Sequence, residues 1–251
     1  MKKVLVVVLC LSFLLLFASS TLGAFEVYYD GFITGKYCLE ATGDEKAETD
    51  FSLHNVGGRL YLWDRLLLGA EVGTGEIKKS KNFLPTQDLW TTSFLVGYRF
   101  NINEFSLIPF ISVDEINIKD SSDNKKEISV IFTGLEAKVP FGERFSIEGS
   151  CRLPSFYTAY EVNGRDIVDI FQEALDEQNI AIKTSLIKIF ALSFKAKYLV
   201  TENIALVGGY KKTIAKIEIE AEKDPFGAEI PIESRLEESF GSITFGVSIL
   251  F

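Results

Sequence analysis

The dominant period along this chain is two residues. Near its end, Phe245, Val247, Ile249 and Phe251 alternate with Thr244, Gly246, Ser248 and Leu250. One face is apolar and aromatic, the other mostly small and polar. That spacing marks a strand whose two faces meet different surroundings. The same pattern recurs and predicts ten strands, at about 25–40, 50–62, 66–78, 89–100, 105–117, 127–139, 144–160, 186–199, 203–220 and 239–251. In the first strand every charge falls on one face. There Val27, Tyr29, Ile33, Tyr37 and Leu39 share a face, opposite Glu26, Asp30, Lys36 and Cys38. In the seventh, Phe145, Ile147, Cys151 and Leu153 stand opposite Glu148 and Arg152. Pro109 removes a ladder donor from the fifth strand and predicts a bulge or locally open pairing there.

The connections alternate in length. Those after even-numbered strands are tight turns at 63–65, 101–104, 140–143 and 200–202, counting the first of them as the turn that follows strand two. Those after odd-numbered strands are longer and polar. The longest, 162–184, carries helical spacing at Ile167, Ile170, Phe171, Ala174 and Leu175, which predicts one short amphipathic helix over 165–179.

Alternation alone does not say which face is inside. The N-terminus bears on that. Lys2 and Lys3 precede an uncharged apolar run over 4–18 and then small residues, the pattern of a secretory signal peptide occupying 1–23. No cysteine stands at the cleavage point; Cys10 lies within the apolar run. The remainder, 24–251, is sized for one domain. It has no uncharged run near the roughly 18 residues of a membrane helix. Such a chain can span lipid only as a closed barrel, because open sheet edges leave backbone groups unsatisfied. Short turns on one side and longer loops on the other fit periplasmic and extracellular ends. The expected fold is all-β: an antiparallel up-and-down transmembrane β-barrel of ten strands, with one short helix in an extracellular loop. Its apolar face then meets lipid. The lumen receives Glu26, Asp30, Lys36, Arg59, Glu71, Arg99, Asp114, Glu136, Lys138, Glu148, Arg152, Lys195, Lys197, Lys211 and Glu238.

Two hairpins, LVGYRF-NINE-FSLIPFISV and AKYLV-TEN-IALVGGYKK, resemble those of the small bacterial outer-membrane β-barrels of the OmpA, OmpX and OmpW kind. The stretch SFGSITFGVSILF resembles their C-terminal signal strand, with Phe245, Val247, Ile249 and Phe251 as its membrane-insertion residues. The resemblance covers the whole of 24–251 and is one of pattern. It implies the cell outer membrane, lipid as surroundings, and the barrel-assembly machinery as a partner through the last strand; the sequence does not fix the oligomeric state, for which a monomer is favoured. It implies no particular activity. Aromatic girdles are expected from Tyr29, Tyr98, Phe100, Phe105, Phe145, Tyr198 and Phe251 at the periplasmic rim and from Tyr37, Trp90 and Tyr157 at the outer one.

Composition narrows the chemistry. The net charge is −9, and removing Lys2 and Lys3 leaves −11, which argues against nucleic acid as a partner. His54 is the only histidine, so histidine triads and multi-histidine metal sites are excluded. Asp50, Asp88 and Glu127 fall near His54 without any motif joining them. Ten-stranded outer-membrane proteases are a known family, but their sites need acidic pairs with histidine, and no enzyme is expected here. Neither the glycines of 69–75 nor the aspartates of 120–123 have phosphate- or calcium-loop spacing. No cofactor or metal is expected. Cys38 and Cys151 fall on opposite faces of strands distant in order, so no disulfide is expected. A narrow passive pore for ions or small solutes, lined by the charged lumen, is the expected function. A plugged structural or adhesion barrel working through its loops, and a soluble lipocalin-like barrel holding an apolar ligand, are the alternatives.

Overall fold

In the computed structural model of the chain the described residues are 23–41, 46–79, 86–176, 180–223 and 230–251. The expected signal peptide, save Gly23, lies outside them. Ten long strands follow one another: β1 (Gly23–Ala41), β2 (Lys46–Leu62), β3 (Leu66–Ile77), β4 (Gln87–Tyr98), β6 (Phe105–Asp120), β7 (Lys125–Phe141), β8 (Phe145–Val162), β10 (Ile180–Leu199), β11 (Ile204–Lys223) and β12 (Ile230–Leu250). Two short pieces complete the set, β5 (Phe100–Ile102) and β9 (Arg165–Asp166), with one helix, α1 (Ile167–Asp176). Each long strand pairs antiparallel with the next, and β12 returns to β1. Phe25 and Phe251 exchange backbone bonds of 3.1 and 2.8 Å at that closure. The ring of pairings closes, with β8 and β10 joined only over Phe145–Arg152 and Ala191–Tyr198 among the described residues, and the expected ten-strand barrel is the observed one.

The tight turns gather at one end, called here the turn end. Positive φ angles there fall on Trp63 (51°), Asp64 (58°), Asn103 (53°) and Gly142 (69°). Asparagine, aspartate and glycine tolerate that region best, and such turns match the twist of a hairpin. The other, loop end differs from expectation. The strands run further than their alternation suggested, so that the β6–β7 connection shrinks to Ser121–Asn124. β11 runs unbroken through 216–220, and β12 takes in 230–232. Pairing is locally open opposite Pro109. The ladder of β4 stops at Gly97↔Phe110, resumes as β5 at Phe100↔Leu107, and skips the residues between.

The outer surface is apolar over the half nearer the turn end. Phe94, Val96, Ile111, Val113, Leu192, Phe194, Leu206, Ile243 and Phe245 all stand exposed there, Phe245 at 59%. Tyr98, Phe100, Phe141, Tyr198 and Phe251 form an exposed aromatic rim below them. The inner surface is layered. At the turn end Tyr61, Leu67, Leu95, Ile108 and Phe110 pack together. Charged residues fill the middle. Toward the loop end the interior becomes apolar again, around Ile128, Val130, Phe132, Ile189 and Ile217 on one side and Phe51, Ile77, Leu89 and Ile118 on the other.

Strand β1 changes face partway. Its register against β2 and β12 shifts between Asp30 and Thr34, a β-bulge. One added residue exchanges the two faces. Above the bulge Tyr37 points inward and is 1% exposed, while Lys36 points outward. Tyr37 is therefore not part of an outer aromatic girdle, and Cys38 leaves the lumen face by the same alternation. Cys38 and Cys151 are not joined in a disulfide.

Candidate functional site

Among the described residues the buried carboxylates Glu26, Asp30, Glu136, Glu148 and Glu238 all face the lumen. Alternation puts them there, and the barrel's curvature brings opposite walls within reach. Near the turn end Arg59 of β2 donates two bonds to Glu136 of β7, at 2.8 and 3.0 Å. Lys197 of β10 bridges Glu26 of β1 at 2.6 Å and Glu148 of β8 at 3.1 Å, and Lys138 adds a further contact to Glu148 at 3.3 Å. Ser248 donates to Glu26. One layer further in, Lys195 meets Asp30 at 3.3 Å, Arg152 meets Asp114 at 2.6 Å, and Lys211 lies 3.8 Å from Glu71. Tyr28 and Asn55 also donate to Glu71. Glu26, Asp30, Glu136 and Glu148 are all buried. Buried charges persist only when paired and hydrogen-bonded, and these are.

Arg99 is held differently. Its guanidinium lies 3.7 Å from the centroid of the Tyr61 ring. Lys36 does not reach the lumen. The β1 bulge turns it outward, where it pairs with Asp50 at 2.8 Å and Glu48 at 3.5 Å, its side chain 64% exposed. The charge was assigned from an unbroken alternation, and the bulge breaks it.

One cluster was missed. Glu238 of β12, 1% exposed, accepts bonds from Tyr37 of β1 (2.5 Å), Tyr160 of β8 (2.9 Å) and Lys126 of β7 (2.5 Å). Lys126 also reaches the Tyr37 hydroxyl at 3.1 Å. In the ring order β1 and β7 face each other across the barrel, so this knot spans the lumen near its loop end. Lys126 reads as part of a polar loop in the sequence, and Tyr37 reads as an outward residue. The signal that could have found them is Glu238 itself, a carboxylate on the inward face of a strand with no charge of opposite sign beside it.

Two cavities of about 70 Å³ each lie between the two sets of braces. They share Leu53, Glu71, Ser93, Ala191, Lys211 and Ser242 as lining. The one nearer the turn end is lined by the charged belt; the other mixes apolar residues such as Phe51, Ile128 and Phe132 with Glu71, Asp114, Glu115 and Lys211. His54 stands apart on the outer surface, stacked on Tyr29 with its Nδ1 3.3 Å from the tyrosine hydroxyl. Asp50 pairs with Lys36 and Glu127 with Lys125, so two of the three carboxylates expected near His54 have other partners. Among the described residues no group of three or more histidine, cysteine, aspartate or glutamate side chains is placed to hold a metal.

No protein-family model matches the chain, and no curated protein matches it significantly. Its fold is similar to that of the outer membrane protease OmpT from Escherichia coli. The TM-score is 0.50 and the identity 11%, over 91% of this chain and 97% of that one. Two further structures align with lower scores. The translocator domain of the autotransporter NalP from Neisseria meningitidis has a TM-score of 0.41 and 10% identity, over 91% of this chain and 88% of that one. An outer membrane channel from Pseudomonas putida F1 has a TM-score of 0.40 and 13% identity, over 88% and 95%. At such identities the likeness to OmpT is one of fold: an up-and-down barrel of the kind found among small bacterial outer-membrane proteins.

Proposed function

We propose that the protein is an integral outer-membrane barrel, its turn end in the periplasm and its loop end outside the cell, with a narrow small-solute path through the lumen that its ion pairs hold shut. The observation that carries the membrane reading is the inversion of the two faces. Large apolar side chains stand exposed outside while carboxylates are buried inside. A monomeric soluble protein rarely exposes a contiguous apolar patch beyond a few hundred Å². A lipocalin-like barrel in water would need the reverse arrangement. Exposed aromatics at the turn end suit a membrane interface.

The path rests on the two adjoining cavities. The braces on either side of them keep it closed, because opposite walls are joined by charge-assisted bonds. Conduction requires those braces to part. Planar-bilayer recording of the chain beside a Lys195→Ala/Lys197→Ala variant tests this. The parent is expected to be nearly silent. The variant loses the partners of Glu26 and Asp30, so it is expected to open to discrete cation-selective channels. Silence from both would instead favour a plugged barrel that works through its loops. Folding in buffer without detergent or lipid would sink the membrane reading.

A further inference from the structure

A groove interrupts the aromatic rim at the turn end. Arg65, Tyr98, Phe100, Leu107, Pro109 and Leu135 are among its walls, and its volume is about 500 Å³. Pockets that take small ligands run to about 300–1,000 Å³, whereas each lumen cavity holds about 70 Å³. Tyr98 of β4, Phe100 of β5, Pro109 of β6 and Leu135 of β7 all stand exposed on the outer surface. The Tyr98 and Phe100 rings lie 4.9 Å apart. The groove therefore opens outward, where the apolar belt gives way to the turns.

Two polar groups border it. Arg65, exposed at the end of the 63–65 turn, donates from Nη1 to the Tyr98 hydroxyl at 3.2 Å. Among the described residues no carboxylate pairs with it. Arg99 does not share its place, because that guanidinium lies on the Tyr61 ring. The second group is a carbonyl. The Arg99 amide donates to the Arg65 carbonyl at 2.7 Å. Backbone groups alternate sides along a strand, so those of Arg99 face β3 and those of Tyr98 face β6. The register from Gly97↔Phe110 to Phe100↔Leu107 sets Pro109 opposite Tyr98. Proline has no N–H, so the Tyr98 carbonyl receives no ladder bond. At the edge of a lipid phase such a carbonyl needs another donor.

These features ask for three things in one molecule. An unpaired guanidinium suits a phosphate, whose oxygens match its planar fork. The carbonyl suits a primary ammonium, which has N–H bonds to give, as a lysine side chain does. The apolar walls suit an acyl chain. A quaternary ammonium has no N–H and meets only two of the three.

We propose that this groove holds one phospholipid of the periplasmic leaflet whose head joins a phosphate to a primary ammonium. Arg65 takes the phosphate, the Tyr98 carbonyl takes the ammonium, and an acyl chain lies against Leu107, Pro109 and Leu135. The site rests on the membrane reading above and does not depend on whether the lumen conducts.

The folded chain in detergent is mixed with equal amounts of phosphatidylethanolamine, phosphatidylcholine and phosphatidylglycerol bearing the same acyl chains. Native mass spectrometry reads which lipid it retains. One phosphatidylethanolamine per barrel is expected, held roughly tenfold over phosphatidylcholine. Arg65→Gln should lower that retention by about tenfold. Pro109→Val restores an amide opposite Tyr98 and should level phosphatidylethanolamine with phosphatidylcholine; Pro109→Ala supplies the same amide should the first not fold. Arg144→Gln, at another exposed arginine of the turn end, should bind as the parent does. Equal retention of all three lipids, preference for phosphatidylglycerol, or parent-like retention in Arg65→Gln would overturn the site. A barrel that folds only with detergent or lipid and yet retains no phospholipid sinks this site alone. Folding in plain buffer sinks the membrane reading as well, so the two failures are distinguishable.

Discussion

Glu238 shows what a single buried carboxylate asks of its neighbours. Two tyrosine hydroxyls and one ammonium satisfy it at the loop end of the lumen. Removing Lys126 alone strands a charge that is 1% exposed. Breaking such a pair costs about 3–5 kcal/mol, whereas replacing both partners by apolar groups is often neutral. Urea unfolding in lipid vesicles should therefore show Lys126→Met strongly destabilised and Lys126→Met/Glu238→Leu largely restored. At the exposed β6–β7 turn, Asp120 accepts from the Asn124 side chain and from the amides of Ser122 and Asn124. The Asn124 side chain first, then the two amides, holds its carboxyl below the ordinary range. A lowered folded pKa adds stability that is present above the unfolded value and is lost as pH falls through the folded one. Carboxyl NMR should find the Asp120 midpoint moving upward in Asn124→Ala.

At the scale of elements, the period of two was legible throughout, because a strand between lipid and a polar lumen must alternate. Glu136 and Lys138 against Leu135 and Val139 on β7 is an instance, and both pairs stand where alternation put them. The bulge in β1 was not legible. Apolar side chains keep to odd positions on both sides of it, Tyr29 below and Tyr37 above. Near the turn end the outside is apolar, and above the bulge it carries Lys36 with Asp50. A change of surroundings and a change of face cancel in the sequence, so the strand reads as unbroken. The apolar outer half of the lumen was hidden for a related reason. Ile128, Val130 and Phe132 lie on the same inward face of β7 as Glu136, and only height separates them. The β8–β10 seam carries its own expectation. Upper-strand amides lacking a ladder partner open without global unfolding. Hydrogen exchange should be faster on β8 beyond Arg152 than over Phe145–Arg152 by on the order of tenfold or more.

For the whole molecule, the exposed apolar belt sets the behaviour in solution. The folded chain should stay monodisperse in detergent and aggregate on dilution into buffer, which sedimentation would register. The cross-lumen braces have a bearing on how the barrel is made. Their partners are far apart along the chain: 77 residues for Arg59 and Glu136, 112 for Lys126 and Glu238, 165 for Asp30 and Lys195, 171 for Glu26 and Lys197, and 201 for Tyr37 and Glu238. A growing sheet that holds only the first hairpin carries Glu26 and Asp30 on its concave side with Arg59 alone opposite Glu26, and that side stays acidic. Those charges favour water, which keeps a half-built sheet from settling into lipid on both faces. The lysine partners of Glu26 and Asp30 arrive only with β10. Neutralisation of the interior, sealing of the ring and commitment to the bilayer then fall in one late event rather than hairpin by hairpin.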